Sequence, residues 1–389
     1  MGSGGTSKPA AAVVGAPVID LFAGAGGLSL AVSKAGGDVR LMVDNDAVAC
    51  NTLRANGRWH TGHVLEADVA KLSGRDLRVL AGLDRSDPLI VVGGAPCQPF
   101  SKAAYWTDPG HDAAYRRQRT RGVTDAQKPG PITIPRPDDR RSLVSEFLRL
   151  TMESRADAFL FENVPSITHP RNRRLLDEFI EGAADTGYKV RWFKLKAVEH
   201  GVPQLRERVF VLGSRRTHVD APSPTHSAPG TVSRLREPVT AGSALRGLDA
   251  PTYFEPEELV SGRWADHLFE VPPGWNYKHH TAWAGHPSPT FETETRFWNF
   301  LLKLSPDLPS WTLAAAPGPW TGPFHWSNRR LRTVELAALQ TFPRSYVFTG
   351  SRRERVRQIG NAVPVRLGQR VFKQLVASFD QESPAKLTA

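Results

Sequence analysis

The sequence predicts an α/β protein: a doubly wound, mostly parallel sheet that carries a second, smaller and irregular domain. Three observations predict it. Short apolar runs alternate with helix-length stretches from Val18 to Gly213, as parallel strands joined by crossover helices require. A glycine-rich turn, Gly24-Ala25-Gly26-Gly27, follows the first of those runs at once, where an α/β sheet brings backbone amides against a ligand. After Ser214 the periodicity fades, and Pro, Gly, Trp and His dominate up to Ser327.

Taken in order, Val18–Leu21 reads as the first strand, and Leu28–Ala35 as the helix that its glycine turn starts. Val39–Val43 and Ala47–Asn56 repeat the strand–helix unit. Leu89–Val92 is an uninterrupted apolar run, the mark of a strand covered on both faces, and Ala158–Phe161 is another. The stretches Arg141–Ser154 and Arg173–Thr186 read as helices, and Lys189–Lys196 and Arg208–Leu212 as the last strands. Between Lys102 and Arg140 nothing periodic is found. That segment is rich in Arg, Gly and Pro and includes Arg116, Arg117, Arg119 and Arg121; a stretch so long without elements reads as a functional lid or as disorder. The region 215–327 is exemplified by Val271-Pro272-Pro273-Gly274-Trp275-Asn276-Tyr277, and helices return at Arg332–Leu339 and Val365–Phe379. The expected division is a disordered tail over 1–14, a first domain over 15–214, an irregular second domain over 215–327, a helical segment over 328–381 that the family resemblance described below assigns to the first, catalytic domain, and a tail over 382–389.

Composition narrows the function. The chain has 389 residues, 40% of them hydrophobic, enough apolar material for a large core. Its 50 Lys and Arg against 39 Asp and Glu leave a net charge of +11, which favours a polyanionic partner such as nucleic acid. With only Cys50 and Cys97, neither a disulfide framework nor a four-thiolate zinc centre can be built; a reducing cytoplasm is expected, and no metal site. No apolar run reaches the roughly 20 residues that a membrane span needs.

The segment Gly93-Gly94-Ala95-Pro96-Cys97-Gln98-Pro99-Phe100-Ser101 presents a thiol on a rigid turn at the end of a buried strand, the place where open α/β sheets do chemistry. The plain alternative is a small buried hydrophobe. Cys50 falls within a helical stretch and reads as packed. The glycine spacing Gly24-x-Gly26-Gly27 is not the dinucleotide G-x-G-x-x-G, which disfavours a nicotinamide or flavin enzyme. Asp44 ends the second strand where a carboxylate can bind ribose hydroxyls, or it caps the next helix, as Asp46 could. Asp68, in Glu66-Ala67-Asp68-Val69, offers a carboxylate to an adenine amino group. Glu162 ends an apolar strand where a charge has no packing reason to be. Arg206 and Arg208 alternate before Val209-Phe210-Val211, as catalytic cations or as a salt-bridged strand edge.

Five blocks now stand in a fixed order: Val18 to Leu30, Gly93 to Ser101, Phe161-Glu162-Asn163-Val164, Gly201 to Phe210 with Gln204-Leu205-Arg206-Glu207-Arg208, and Gln358-Ile359-Gly360-Asn361-Ala362-Val363-Pro364. Together they resemble the signature set of the DNA cytosine-5 methyltransferases, over roughly residues 17–215 and 326–370. The resemblance implies the class I methyltransferase fold, closed by a final helix that packs back on the first domain. It implies S-adenosylmethionine as cofactor, held by Asp20, Phe22, Ala23, Gly24, Gly26, Gly27, Leu28, Asp44, Asn45, Asp68, Val69, Pro96, Asn361 and Val363. It implies Cys97 as nucleophile toward carbon 6 of a flipped-out cytosine, Glu162 at nitrogen 3, and Arg208 at the base carbonyl, with Arg206 holding phosphate or the loop.

Double-stranded DNA is the implied partner, with Gln98, Ser101, Arg119, Arg121 and Gln204 as contacts, Arg329 and Arg330 on phosphates, and 215–327 as the target recognition domain. Within that region Trp275, Asn276, Tyr277, Lys278, His279 and His280 read as exposed and able to reach groove edges; the rival reading is scaffold, with Trp283, Phe297 and Trp298 forming a small core. The chain is expected to act as a cytoplasmic monomer, beside a separate cognate restriction endonuclease. Extra residues between the Cys97 loop and Asp139-Arg140-Arg141 depart from the family pattern. An RNA cytosine-5 methyltransferase, or a catalytically silent DNA-binding relative, are the alternatives.

Overall fold

The computed structural model describes residues 15–100, 113–120, 122–130, 133–134, 137–292 and 297–380. The expected tails at 1–14 and 382–389 lie outside them. The centre is a seven-stranded sheet in the order β3-β2-β1-β4-β5-β8-β6. Its strands are β1 (Pro17–Leu21), β2 (Asp38–Asp44), β3 (His63–Glu66), β4 (Ile90–Gly93), β5 (Ala158–Asn163), β6 (Lys189–Lys196) and β8 (Glu207–Ser214); β7 (Gln204–Leu205) pairs outside this sheet with Ser310–Trp311. β1, β2, β3, β4 and β5 are parallel neighbours, while β8 runs antiparallel to both β5 and β6. β3 is one strand more than the sequence suggested. Its four residues are half-buried or exposed, so they carry no apolar run to read.

Strand alternation sorts the side chains into two cores. Ile19, Leu21, Val91, Phe159 and Phe161 point to one face, where Phe147 and Phe179 from the helices Leu143–Glu153 and Pro170–Asp185 cover them. Val18, Ile90, Val92, Ala158 and Leu160 point to the other. That face is covered by Leu28 and Val32 of α1 (Gly27–Lys34) and by Leu367, Val371, Phe372 and Leu375 of the final helix, Val365–Asp380. The chain therefore closes on itself, its last helix lying beside its first.

The chain leaves β1 toward β2 on one side and reaches β4 on the other. The strand order reverses at this pair, and a crevice opens at the carboxyl ends of β1 and β4. Leu21 pairs with Gly93 and Gly93 with Phe161, so Phe22, Gly94 and Glu162 emerge side by side.

The region after Ser214 is not one separate body of packing. Ala241, Leu245, Leu248, Leu304 and Leu313 share a core with Ala25, Leu30 and Ala31 and with Leu331 to Val365. A core of its own forms from Leu268, Val271, Tyr277, Phe291, Phe300, Leu301 and Phe324. The sequence offered Trp283, Phe297 and Trp298 for that role, yet these are 68%, 52% and 52% exposed. Conversely Asn276, Tyr277 and His280, expected at the surface, are buried, while Trp275 is exposed.

Candidate active site

A cavity of about 310 Å³ opens at the switch point. β1 and its turn contribute Asp20, Phe22, Ala23, Gly24, Gly27 and Leu28; β2 contributes Asp44 and Asn45; the β4 turn contributes Gly94, Pro96, Cys97 and Gln98; β5 and β8 contribute Glu162 and Arg208; the C-terminal block contributes Asn361 and Val363. Residues from all five sequence blocks thus meet in one place.

The turn after β1 is held by the second strand's carboxylate. Asp44 accepts the backbone N–H of Gly24 at 2.7 Å and that of Asp46 at 2.8 Å. It is Asp46 that caps α2 (Ala47–Ala55), accepting from Val48 N at 3.0 Å. Phe22 sits at φ 59°, a left-handed conformation costly for an aromatic residue and kept where the surroundings impose it. Glycine is required at Gly27, where a Cβ would come within 2.6 Å of the Val363 carbonyl, so the C-terminal block lies directly against the turn.

Asp20 is fully buried beneath that turn and accepts the Ser29 hydroxyl, and its other oxygen, Oδ1, is buried without a partner. Burial raises its pKa to about 7.

At the opposite end the Cys97 loop is fixed by one bond within itself and two from the segment at the end of β5. Phe100 N donates to the Cys97 carbonyl at 2.9 Å, Asn163 Nδ2 donates to Ala95 O at 3.2 Å, and the Ser166 hydroxyl donates to Phe100 O. Burial pushes the Cys97 thiol up, and the Arg208 charge opposes that shift. Arg208 Nε lies 2.7 Å from Glu162 Oε1, both side chains being about nine-tenths buried. Burial nevertheless raises the Glu162 carboxyl, because desolvation outweighs the neighbouring Arg208 and Arg206 charges. A carboxyl raised in this way, on a cation that orients it, can hold a proton for a bound base. Gly94 leaves the space: a Cβ there would lie 2.8 Å from Glu162 Oε2. Cys50, by contrast, is fully buried in α2, its thiol pushed up to about 11.

Several expected site residues stand elsewhere. Arg206 does not line the cavity; fully buried, it donates to the carbonyls of Gly360 at 2.7 Å, Ala362 at 3.2 Å and Leu313 at 3.4 Å, which leaves it no phosphate to hold. Its guanidinium lies behind the Asn361–Val363 wall. Gln204, expected on DNA, is also fully buried, receiving Leu313 N at 3.2 Å and donating to Gln340 Oε1 at 3.2 Å. Gly26 packs at φ 79° against His60 and Leu53, Asp68 caps a short 3-10 turn by accepting Ala70 N, and Val69 is in the core; none of the three lines the cavity.

Arg329, expected on phosphate, donates to Glu335 at 2.7 and 2.8 Å, and Arg330 to the carbonyls of Leu259 and Pro319. Ser101 and Arg121 lie outside the described residues, as does the side chain of Arg119. Arg140, Arg357 and Asp46 line the cavity and were not foreseen. Arg140 closed the arginine-rich segment in sequence, and only its basic neighbours hinted at it.

A family model for C-5 cytosine-specific DNA methylase matches residues 16–115 and 136–377. The chain belongs to this family. It is a DNA cytosine-5 methyltransferase. The unmatched stretch 116–135 falls inside the segment that departed from the family pattern. The methylase is 39% identical over 388 residues to the Type II methyltransferase M.SacI of Streptomyces achromogenes, covering 92% of each chain. To M.PspPI of Psychrobacter sp. (strain TA137) it is 31% identical over 370 residues, covering 92% of this chain and 78% of the relative.

Among solved structures, a prophage-encoded DNA modification methyltransferase from E. coli superimposes with a TM-score of 0.62 at 23% identity, covering 94% of this chain and 99% of that one. The Dnmt2 methyltransferase of S. pombe does so with 0.56 at 15%, over 94% and 99%. Both show the methyltransferase fold. Among the described residues no helix is long and apolar enough to cross a membrane.

Proposed function

We propose that this methylase transfers a methyl group from S-adenosylmethionine to carbon 5 of a cytosine rotated out of a specific double-stranded DNA sequence. It would act as a cytoplasmic monomer, the modification partner of a separate restriction endonuclease. The observation that carries the reading is the meeting of Cys97 and the Glu162–Arg208 pair in one cavity with the Asp44-held glycine turn.

The residues at that turn fit the cofactor. Its backbone amides start a helix, Asp44 and Asn45 border it with polar groups suited to ribose, and the unpartnered Asp20 Oδ1 beneath it calls for a donor such as an ammonium. Asn361 and Val363 would flank the methionine end. Bound S-adenosylmethionine supplies an electrophilic methyl group on its sulfonium.

The chain's own groups do the rest. The Cys97 thiolate forms a bond to cytosine carbon 6, and the ring electron pair moves onto carbon 5, the atom that takes the methyl. Glu162 holds a proton at nitrogen 3 and accepts from the exocyclic amine, a pair of contacts that thymine cannot satisfy. Arg208 keeps Glu162 in place and faces the carbonyl oxygen of the base. Loss of the carbon 5 proton to solvent then expels Cys97 as thiolate, and the adduct resolves. No cytosine inside a duplex can reach this recess, so the base must leave the stack.

Cys97→Ser should abolish methyl transfer while DNA binding persists, and duplexes carrying 5-fluorocytosine should trap the wild type covalently, since fluorine does not leave as a cation. Full activity of the serine variant would refute the nucleophile. Inhibition by tRNA with no methylation of any duplex would replace DNA by RNA as the substrate.

A further inference from the structure

Away from the reaction cavity, three ligand-bearing side chains converge in the irregular region. Glu270 ends the helix Ala265–Glu270, His280 ends the 3-10 turn Tyr277–His280, and His286 follows the turn Ala282–Ala284. One ligand atom from each lies within 4.8 Å of the others. None of the three lines the cavity that holds Cys97.

His280 is the decisive member. Its residue is fully buried, and its Nε2 lies 2.7 Å from the carbonyl oxygen of His267. A carbonyl only accepts, so Nε2 carries the proton and Nδ1 carries the lone pair. This Nδ1 is buried without a hydrogen-bond partner, and Glu270 Oε2 lies 3.5 Å from it. A buried lone pair on His280 facing a carboxylate oxygen of the largely exposed Glu270 is a place where a cation would satisfy both. The backbone carbonyl behind Nε2 is the arrangement that orients ligating histidines, fixing the tautomer and the ring plane. His286 Nδ1 lies 2.8 Å from the Ser288 carbonyl oxygen and 3.2 Å from the Ser288 N–H, so both of its local contacts engage Nδ1 and neither engages Nε2.

The donor set, with one measured spacing, points to the ion. Tetrahedral zinc with bonds of about 2.0–2.1 Å sets neighbouring ligand atoms about 3.3 Å apart, close to the 3.5 Å between Glu270 and His280. Two imidazoles and one carboxylate suit zinc and its transition-metal neighbours rather than magnesium or calcium, which take oxygen ligands. The His279 ring packs beside the same cluster, its centroid 5.1 Å from that of His280 and 5.6 Å from that of His286.

We propose that Glu270, His280 and His286 form a binding site for a divalent transition cation of the zinc class. The ion would add a cross-link between three short elements, two of which already share the core of Leu268, Val271 and Tyr277, next to exposed Trp275 and Trp283. Its binding energy would become local folding energy of this region. The cysteine count had excluded a thiolate centre, and an imidazole centre does not need one.

The test uses the full-length protein stripped with a chelator and dialysed, then titrated with Zn²⁺ by calorimetry and with Co²⁺ by visible absorption. Expected are one ion per chain, the intense absorption of tetrahedral cobalt, and a Tm that rises with added Zn²⁺. His286→Ala and Glu270→Gln alter half-buried or exposed positions, so they leave the core intact. Each should weaken binding by on the order of 100-fold, since changes behind a ligand alone cost about 10–100-fold. His280→Ala, the buried case, should also remove the cobalt spectrum. Absence of binding to the wild type would overturn the proposal, as would equal affinity in the wild type and the Glu270→Gln/His286→Ala double variant.

Discussion

Replacing Arg206 by methionine removes a buried guanidinium while keeping most of the volume. The Gly360 carbonyl loses its 2.7 Å bond, and the helix offers no substitute, since the residue four positions on is Pro364, which has no N–H. The Ala362 carbonyl keeps a donor, Gln340 Nε2 at 3.2 Å, so its loss is partial. A hydrogen bond from a charged group contributes about 1.5–3 kcal/mol. The longer contact to Leu313 adds little, and relief of the buried charge offsets part of the loss.

At roughly 2.1 cal/mol/K per residue, unfolding a chain of this size has an entropy of about 0.8 kcal/mol/K, so Tm should fall by about 2–4 °C. The same bonds hold the wall formed by Asn361, Ala362 and Val363, so the affinity for S-adenosylmethionine should fall about tenfold. Differential scanning calorimetry and cofactor titration read the two effects, with duplex binding as the control. A variant with wild-type Tm and wild-type cofactor affinity would show that Arg206 does not position the wall, and the phosphate reading would return.

Three further outcomes follow from the described contacts. Asp20 has its pKa raised from 3.8 to about 7. The folded chain therefore binds a proton that the unfolded chain has already lost between those values. Its contribution to stability is full below pH 3.8, declines by up to about 1.4 kcal/mol per pH unit, and is lost as pH passes about 7. Asp20→Asn should flatten that decline in urea unfolding at pH 5, 6 and 7, and parallel curves for the two proteins would refute the shift.

Glu258→Gln leaves buried Arg332 without its carboxylate, at a cost of about 3–5 kcal/mol and a Tm lower by about 4–6 °C; an unchanged Tm would mean that the pair is not coupled to folding. Exchanging residues 215–327 for the same span of a relative should redirect methylation, because Cys97, Glu162 and Arg208 all lie outside it. That exchange must keep apolar residues at Ala241, Leu245, Leu304 and Leu313, which share a core with the catalytic part. A folded, active chimera that retains the original target sequence would refute the division.

The sequence by itself determined what depends on neighbours along the chain. Apolar runs at Leu89–Val92 and Ala158–Phe161 were readable as strands because burial on both faces leaves no polar alternation. Cys97 on its turn and Glu162 at a strand end were readable because each violates its surroundings: a nucleophile on rigid backbone, a charge on an apolar run. Asp44 was readable as a residue at the glycine turn, though its grip on Gly24 N was not.

Tertiary structure alone decided whatever depends on distant partners. Hydrophobic periodicity has no direction, so the antiparallel course of β8 could not be derived from it, and half-exposed β3 carried no periodicity at all. Arg206 and Arg208 stand two residues apart in one block, yet one pairs with Glu162 in the cavity and the other braces carbonyls at positions 360 and 362. The rival scaffold reading put Trp283 and Trp298 in a core and the leading reading put His280 at the surface, and both missed because a region without repeating pattern exposes its side chains according to packing rather than spacing. The meeting of Glu270, His280 and His286 is of the same kind: nothing in the sequence joins them, and only the folded chain brings a ligand atom of each within 4.8 Å of the others.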